Sequence, residues 1–151
     1  MVLTLERPAQ RTGFEIGPML PGELKAADEL SDRCGAGGRF GLVPVVQLAA
    51  REPHSGRLVG IAECFRTFPP ENALASVYVD PEARRQGIGT ALLKALIAAA
   101  SRNGKRNLSA FLADDELAAW ALLRSAGALV RMHEAEGGLF VEVDTVNSRW
   151  S

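Results

Sequence analysis

The spacing of apolar and polar residues divides the chain into short strands and helices. Alternation with period two, in runs rich in β-branched and aromatic residues, predicts strands, and apolar residues three and four positions apart predict helices. Strands are expected at 14–16, 43–51, 57–68, 73–79, 105–112, 129–133 and 139–143. Helices are expected at 23–33, from Gly89 to a stop at Asn103-Gly104, and at 116–128. The order of elements is β, α, β, β, β, α, β, α, β, β. It predicts a mixed α/β (α+β) domain, in which helices pack on a sheet with both parallel and antiparallel strands.

The connections between these elements predict the directions of the strands. Short breaks join the strands from 43 to 79, which indicates an antiparallel meander, and 129–143 is expected to form a closing hairpin. A helix intervenes between 73–79 and 105–112, so these two strands should run parallel. The central sheet is therefore expected to be mostly antiparallel, with one parallel pair.

Length and composition restrict the class of protein. The 151 residues are expected to form one domain, 1–151, with a loose lead-in at 1–13 and a tail at 146–151. The formal net charge is −1 and the charges are mixed, which disfavours a nucleic acid partner. The sequence shows neither a signal peptide nor a membrane span, so we expect a cytoplasmic protein without a membrane partner. Cys34 and Cys64 are far apart, so neither a metal site nor a disulfide is indicated.

A glycine-containing loop follows the strand at 73–79. Asp80-Pro81 breaks the strand, and residues 84–90 then bring arginines and glycines to the start of a helix. The first N–H groups of a helix have no intrahelical partner, and the helix dipole is positive there. Such a loop is suited to an anion with several oxygens, above all a phosphate or pyrophosphate.

Two common phosphate-binding motifs do not fit this loop. A dinucleotide fingerprint needs a third glycine where Leu92 stands, and a P-loop needs a glycine followed by Lys-Ser or Lys-Thr. What remains is R-x-x-G-x-G preceded by V-x-V-x-P. This pattern resembles the coenzyme A loop of the GCN5-related N-acetyltransferases, the GNAT family. An ordinary helix start after an Arg-Gly loop, or a generic α/β nucleotide binder, are the alternatives.

The resemblance implies how the donor, acetyl-CoA, is held. In this family the parallel pair splays at the cofactor site, helices cover both faces of the sheet, and the pantetheine arm lies between the splayed strands. Backbone groups of the motif strand then bind the pantetheine, N–H groups of the loop bind the pyrophosphate, and arginines supply positive charge. The residues implied for cofactor binding are Val77, Val79, Arg84, Arg85, Gln86, Gly87, Ile88, Gly89 and Thr90.

Acetyl transfer to an amine needs a base. A carboxylate, or a water held by one, can take the proton of the attacking amine. Glu63, in the apolar run I-A-E-C-F, and Glu71, before the motif strand, are the candidates. Glu63 should lie on the face opposite Ala62 and Cys64, where either a catalytic role or a solvent-facing position is open. The motif strand itself carries no carboxylate, unlike that of many relatives.

The group that protonates the leaving thiolate is less clearly indicated. The region 116–128 resembles the family pattern N-x-x-A-x-x-L-Y-x-x-x-G-F, but Leu123 stands at the tyrosine position. Tyr78, Ser125 or water could supply the proton instead. Tyr78 could equally be a strand aromatic packed on a helix. His133 is expected to be a surface residue, or a residue that supports the site without touching the substrate, rather than a base.

The resemblance therefore implies an acetyl-CoA dependent N-acetyltransferase that acts by direct attack of a primary amine. The acceptor could be a small molecule, a peptide or a protein lysine, and a homodimer is common among relatives. The alternative is a sensor or scaffold domain that binds acetyl-CoA and has lost the chemistry. The glycine cluster at 35–41 is read as a connector, or as a lid beside the acceptor.

Overall fold

A single mixed sheet organises the part of the chain that the structure describes. The computed structural model describes residues 13–34, 42–83, 87–113, 121, 123–124 and 127–146. In these ranges the sheet has seven strands in the order β1-β2-β3-β4-β5-β7-β6. The strands are β1 (Glu15–Pro18), β2 (Pro44–Arg51), β3 (Leu58–Arg66), β4 (Asn72–Val79), β5 (Asn107–Ala113), β6 (Leu129–Ala135) and β7 (Gly138–Asp144). The helices are α1 (Leu24–Arg33) and α2 (Ile88–Arg102), and 3₁₀ turns lie at Pro21–Glu23 and Pro81–Ala83.

The predicted strand directions are confirmed. β4 and β5 run parallel, and every other neighbouring pair is antiparallel. The observed strand bounds agree with the expected ones to within two residues; β1, for example, ends at Pro18 rather than at residue 16. β1 is an edge strand, where a proline can be accommodated because no neighbour beyond it needs its missing N–H.

Some predicted segments lie outside the described residues. These are the lead-in up to residue 12, the glycine cluster at 35–41, the tail from residue 147 and most of the predicted helix at 116–128. Within that last segment, the backbone at Ala121, Leu123 and Arg124 is helical. No helix in the described ranges is both long and apolar enough to cross a membrane.

Helices α1 and α2 cover opposite faces of the sheet. Ile61 packs in a buried cluster with Ala27 and Leu30 of α1. Its neighbour Gly60 faces α2, because a Cβ at Gly60 would lie 2.8 Å from Leu92 Cδ1 and 3.0 Å from Ile88 Cγ2. Successive residues of a strand point to opposite faces. The absent side chain at Gly60 thus lets the first turn of α2 lie directly against β3.

A partly buried ion pair fastens the first 3₁₀ turn to the sheet. The Glu23 carboxylate accepts hydrogen bonds from Arg51 Nε and Nη2, each at 2.5 Å, and from the Leu20 N–H at 2.8 Å. Both side chains are less than one-fifth exposed, Arg51 at 19% and Glu23 at 16%. The hydrogen bond from Arg51 is the main cause that lowers the pKa of Glu23 below its usual 4.5.

Glu23→Gln is expected to lower the free energy of unfolding at pH 7 by about 1–2 kcal/mol, because a charge-assisted bidentate pair is lost. A lowered carboxyl pKa stabilises the fold above the unfolded-state value of about 4.5 and stops doing so as the pH falls through the folded-state value. The difference between wild type and variant should therefore shrink below pH 4.5. Denaturant unfolding at pH 7 and at pH 3.5 measures both effects. Exposed Glu29 supplies the matched control, since Glu29→Gln should leave stability unchanged at either pH. If the difference in free energy of unfolding between wild type and Glu23→Gln is the same at both pH values, the stabilisation does not come from the charged Glu23–Arg51 pair.

Candidate active site

The parallel strands β4 and β5 separate partway along their length. Their ladder consists of the pairs Asn72↔Asn107, Ala73↔Leu108 and Leu74↔Ser109. β4 then continues to Val79, still paired with β3, while β5 continues to Ala113, paired with β7. The sheet therefore opens between β4 and β5 beyond Leu74, toward the carboxyl ends of both strands.

In β4, the backbone N–H and C=O groups of every second residue point toward this opening. The Asp80 N–H donates to the Val59 carbonyl at 2.9 Å, which makes Asp80 and Val59 a hydrogen-bonded pair of the β3–β4 ladder. In an antiparallel ladder such pairs alternate with pairs whose N–H and C=O groups point the other way. Val77 and Val79 belong to the second kind, so their backbone groups are directed to the β5 side. Val79 O also accepts a hydrogen bond from Cys34 Sγ at 3.4 Å.

The start of α2 presents backbone donors next to the end of β4. The first helical bond runs from the Ala91 N–H to the Gly87 carbonyl at 3.0 Å, so the N–H groups of residues 88–90 have no acceptor within the helix. Gly87 has a left-handed backbone with φ of +79°, and open space surrounds the position of a Cβ there. A Cβ at Gly89 would lie 3.5 Å from Val79 Cγ2. The donors thus lie at the wide end of the β4–β5 opening.

The structure describes only part of the predicted donor loop. Arg84, Arg85 and Gln86 lie outside the described residues. Of the other predicted cofactor-binding residues, Val77 and Val79 line the opening through their backbone, and Gly87, Ile88, Gly89 and Thr90 form the first turn of α2.

Glu63 is fully buried beneath the middle of the sheet. Its side chain is 0% exposed, and its Oε2 accepts a hydrogen bond from Gln47 Nε2 at 2.9 Å. Gln47, Glu63 and Ser76 form one row across β2, β3 and β4, on the face covered by α1. The solvent-facing alternative for Glu63 is wrong. Along β4, the row lies two residues beyond Leu74, the last residue that pairs with β5. Glu63 itself is on β3, so one strand, β4, separates it from the opening.

The other two catalytic candidates lie at opposite ends of β4. Glu71 is exposed and precedes β4 at the closed end of the parallel pair, where its carbonyl accepts the N–H groups of Arg106 at 2.7 Å and Asn107 at 3.3 Å. Tyr78 lies near the open end and packs against the α1 cluster that contains Ile61. Glu63 is therefore the candidate carboxylate nearer to the point where the strands separate.

The residues considered for thiolate protonation have different surroundings. Leu123, at the position of the family tyrosine, is a core residue 2% exposed, and its aliphatic side chain cannot donate a proton. Ser125 lies outside the described residues. His133 is exposed and stacks on Phe140, with ring centroids 5.5 Å apart and planes at 24°, as expected for a surface residue.

Cys64 is unsuited to carry an acyl group. It is fully buried on the sheet face opposite Glu63, and burial raises the pKa of its thiol to about 11. Nucleophilic cysteines act as thiolates and lie in partly exposed, electropositive surroundings. Cys64 thus stays protonated and out of contact with solvent. Among the described residues, no cluster of three or more His, Cys, Asp or Glu could hold a metal ion.

A separate cavity of about 290 Å³ lies on the α1 face. Its walls come from α1, the start of β3 and the segment that follows β4, and none of its lining residues belongs to β5. The lining residues are Ala26, Glu29, Arg33, Arg57, Leu58, Asp80 and Glu82. The cavity therefore lies beside the turn that follows β4 rather than in the β4–β5 opening.

Sequence reasoning missed two features of this region. Gln47 approaches Glu63 only through the β2–β3 register, which no local pattern specifies. Asp80 is predicted only as a strand breaker, although its carboxylate is contacted by the guanidinium groups of Arg33 and Arg57. The Asp80-Pro81 pair was the available signal, because an aspartate before a turn often accepts backbone N–H groups.

Comparison with solved structures shows the same fold in acetyltransferases. The ribosomal-protein-S18-alanine N-acetyltransferase of Escherichia coli is 21% identical, with a TM-score of 0.67 over 87% of this chain and 94% of that structure. The Salmonella typhimurium protein yncA, solved with its cofactor acetyl-CoA, is 19% identical, with a TM-score of 0.70 over 87% and 94%. A phosphinothricin acetyltransferase from Sinorhizobium meliloti, in complex with acetyl-CoA, is 19% identical, with a TM-score of 0.63 over 86% of each chain.

Sequence comparison gives the family. No curated protein matches the chain in sequence. The model of the Acetyltransferase (GNAT) family matches residues 21–128, which include α1, the β2–β4 meander, the opening and the start of α2. The resemblance of the V-x-V-x-P and R-x-x-G-x-G motifs is thereby confirmed at the level of the family. The chain belongs to the GNAT family of acetyltransferases.

Proposed function

We propose that the protein transfers an acetyl group from acetyl-CoA to a primary amine by direct attack. The observation that carries the proposal is the β4–β5 opening, next to which the start of α2 presents N–H groups that have no acceptor within the helix. An extended donor with a pyrophosphate at one end and a thioester at the other matches this arrangement of backbone groups.

The backbone supplies most of the donor site. The pantetheine arm is bound as an added strand by the N–H and C=O groups that β4 directs to the opening, at Val77 and Val79. The pyrophosphate is bound by the N–H groups of residues 87–90, where the helix dipole favours negative charge. Arg84 and Arg85 add positive charge. This places the thioester toward the narrow end of the opening, in the neighbourhood of Glu63.

Glu63 acts as the base, directly or through a water that it holds. It is buried one strand away from the opening, so a bridging water fits the separation better than direct contact. Gln47 orients its carboxylate through the 2.9 Å hydrogen bond. As the amine nitrogen loses its proton toward Glu63, it forms a bond to the thioester carbonyl carbon, and the carbon–sulfur bond breaks. The leaving thiolate takes a proton from Tyr78 or from water.

The alternative function is an acetyl-CoA sensor or scaffold that lacks catalysis. The observation in its favour is Leu123, a buried aliphatic residue at the position where relatives have a proton-donating tyrosine. The proposed function does not depend on that tyrosine, because coenzyme A thiolate can be protonated by solvent.

One assay separates the two functions. Purified protein is incubated with acetyl-CoA and a panel of amines that includes polyamines, amino sugars, amino acids and lysine peptides, and release of free thiol is followed. The enzyme should release thiol only with particular amines, at a rate above hydrolysis. Tight binding of acetyl-CoA by calorimetry, with no thiol release across the panel, would support the sensor and overturn the transferase.

A further inference from the structure

A buried carboxylate joins three elements at the point where the chain leaves β4. Asp80 follows Val79 directly, and its side chain is only 5% exposed. Its Oδ2 accepts hydrogen bonds from Arg33 Nη2 at 3.1 Å and from Arg57 Nη1 at 3.3 Å. Arg33 is the last residue of α1, and Arg57 directly precedes β3. The two guanidinium groups therefore tie the end of α1 and the start of β3 to the end of β4. We name these three residues the Asp80 cluster.

The same carboxylate shapes the turn that leads toward the donor-binding residues. Asp80 Oδ1 accepts the Glu82 N–H at 2.9 Å, and the Asp80 carbonyl accepts the Ala83 N–H at 2.8 Å. Ala83 is 4% exposed and lies in the main hydrophobic core with Ile88. The 3₁₀ turn Pro81–Ala83 is thus fixed on both sides, by the carboxylate at its start and by the core at its end.

The electrostatics of the cluster favour a charged Asp80. Burial would raise the pKa of this carboxyl, but the Glu82 N–H and the two guanidinium groups outweigh burial and lower the pKa. Asp80 is therefore an anion throughout the neutral pH range. The carboxylate of Asp80 accepts hydrogen bonds from three donors, the Glu82 N–H and the two guanidinium groups. Each of them restricts the orientation of the carboxylate, so the three segments are held in a defined arrangement.

We infer that Asp80 is a positioning residue for donor binding, which holds the segment after β4 so that the start of α2 faces the β4–β5 opening before acetyl-CoA arrives. This inference rests on the proposed function, because it concerns the site for the same donor. The cluster does not touch the reacting atoms. Its effect is on the arrangement of the backbone donors in the free enzyme, and a preorganised site binds more tightly than one that must be ordered on binding.

Asp80→Asn tests the inference because asparagine keeps an acceptor for the Glu82 N–H and removes the charge that holds the arginines. The dissociation constant for acetyl-CoA, measured by calorimetry at a temperature where the variant is folded, should rise about tenfold. The turnover number at saturating acetyl-CoA should be unchanged. Arg33→Gln and Arg57→Gln should each give a smaller rise, and the double variant should match Asp80→Asn.

Glu52 offers a matched control. It also contacts Arg57, with Oε1 3.4 Å from Nε, but its side chain is 42% exposed and bonds to nothing in the turn after β4. Glu52→Gln should leave acetyl-CoA affinity unchanged. Lower thermal stability of Asp80→Asn with wild-type affinity would show a merely structural role and overturn the inference. If the wild-type protein itself fails to bind acetyl-CoA, the proposed function fails instead, so the two failures are distinguishable.

Discussion

Gly89→Glu is expected to weaken acetyl-CoA binding about a hundredfold, because the new carboxylate occupies the N–H groups meant for the pyrophosphate and repels it. Loss of two charge-assisted hydrogen bonds, each worth about 1.5–3 kcal/mol, is sufficient for this factor. The fold should be retained. A Cβ at Gly89 lies 3.5 Å from its nearest neighbour, Val79 Cγ2, which is an ordinary contact, and a negative side chain in the first turn of a helix interacts favourably with the helix dipole.

Calorimetric titration with acetyl-CoA measures the effect, and circular dichroism with thermal unfolding checks the fold. Gly22→Glu is the matched control, since it adds the same side chain at an exposed glycine with open space around the Cβ position. Gly87→Glu should weaken acetyl-CoA binding as well, but it mixes two effects. A side chain at φ of +79° costs about 1–2 kcal/mol of stability. Wild-type affinity in Gly89→Glu would refute the assignment of the start of α2 to the donor.

Glu63→Gln is expected to lower the turnover number about a hundredfold or more, which is the usual contribution of a general base. The amide can still accept a hydrogen bond from Gln47 Nε2, so the buried row on the α1 face should remain intact. Acetyl-CoA affinity should be unchanged, because the donor is bound by backbone groups of β4 and α2. The acidic limb of the pH–rate profile, which reports protonation of the base, should disappear.

Steady-state kinetics with an amine found in the panel, across pH 5 to 9, measures this prediction. Glu71→Gln provides the comparison, because Glu71 is the other carboxylate predicted from the sequence as a base. It is exposed and precedes β4 at the closed end of the β4–β5 pair. If Glu71→Gln loses turnover while Glu63→Gln retains it, the base is Glu71. Wild-type turnover and pH profile in both variants would exclude a carboxylate base at either position.

The donor side of the site could be predicted from sequence because its elements are local. Strand, proline turn, glycines and helix start follow one another within residues 77–93, and backbone N–H groups do the binding. Gly87 shows why the motif is informative. Its left-handed φ of +79° suits glycine and is unfavourable for other residues, so the sequence carries a direct mark of the backbone conformation.

The catalytic side could not be predicted to the same depth. Glu63 was a candidate only because a charge stood in an apolar strand, and its burial could not be read from alternation. Alternation assigns a side chain to one face of the sheet, but it does not show whether another layer covers that face. A residue on an uncovered face is solvent-exposed, and a residue on a covered face is buried. Here α1 provides that layer, through contacts between residues far apart in sequence such as Leu30 and Ile61.

The sequence by itself determined the order of elements, the parallel β4–β5 pair and the donor motif. All three depend on local periodicity, turn chemistry and the handedness of a strand–helix–strand connection. Only the tertiary structure decided that the β4–β5 ladder ends at Leu74, that Gln47 meets Glu63, and that Arg33 and Arg57 converge on Asp80. These features depend on strand register and on the packing of helices against the sheet. Both arise from contacts between distant residues, which local sequence patterns do not encode.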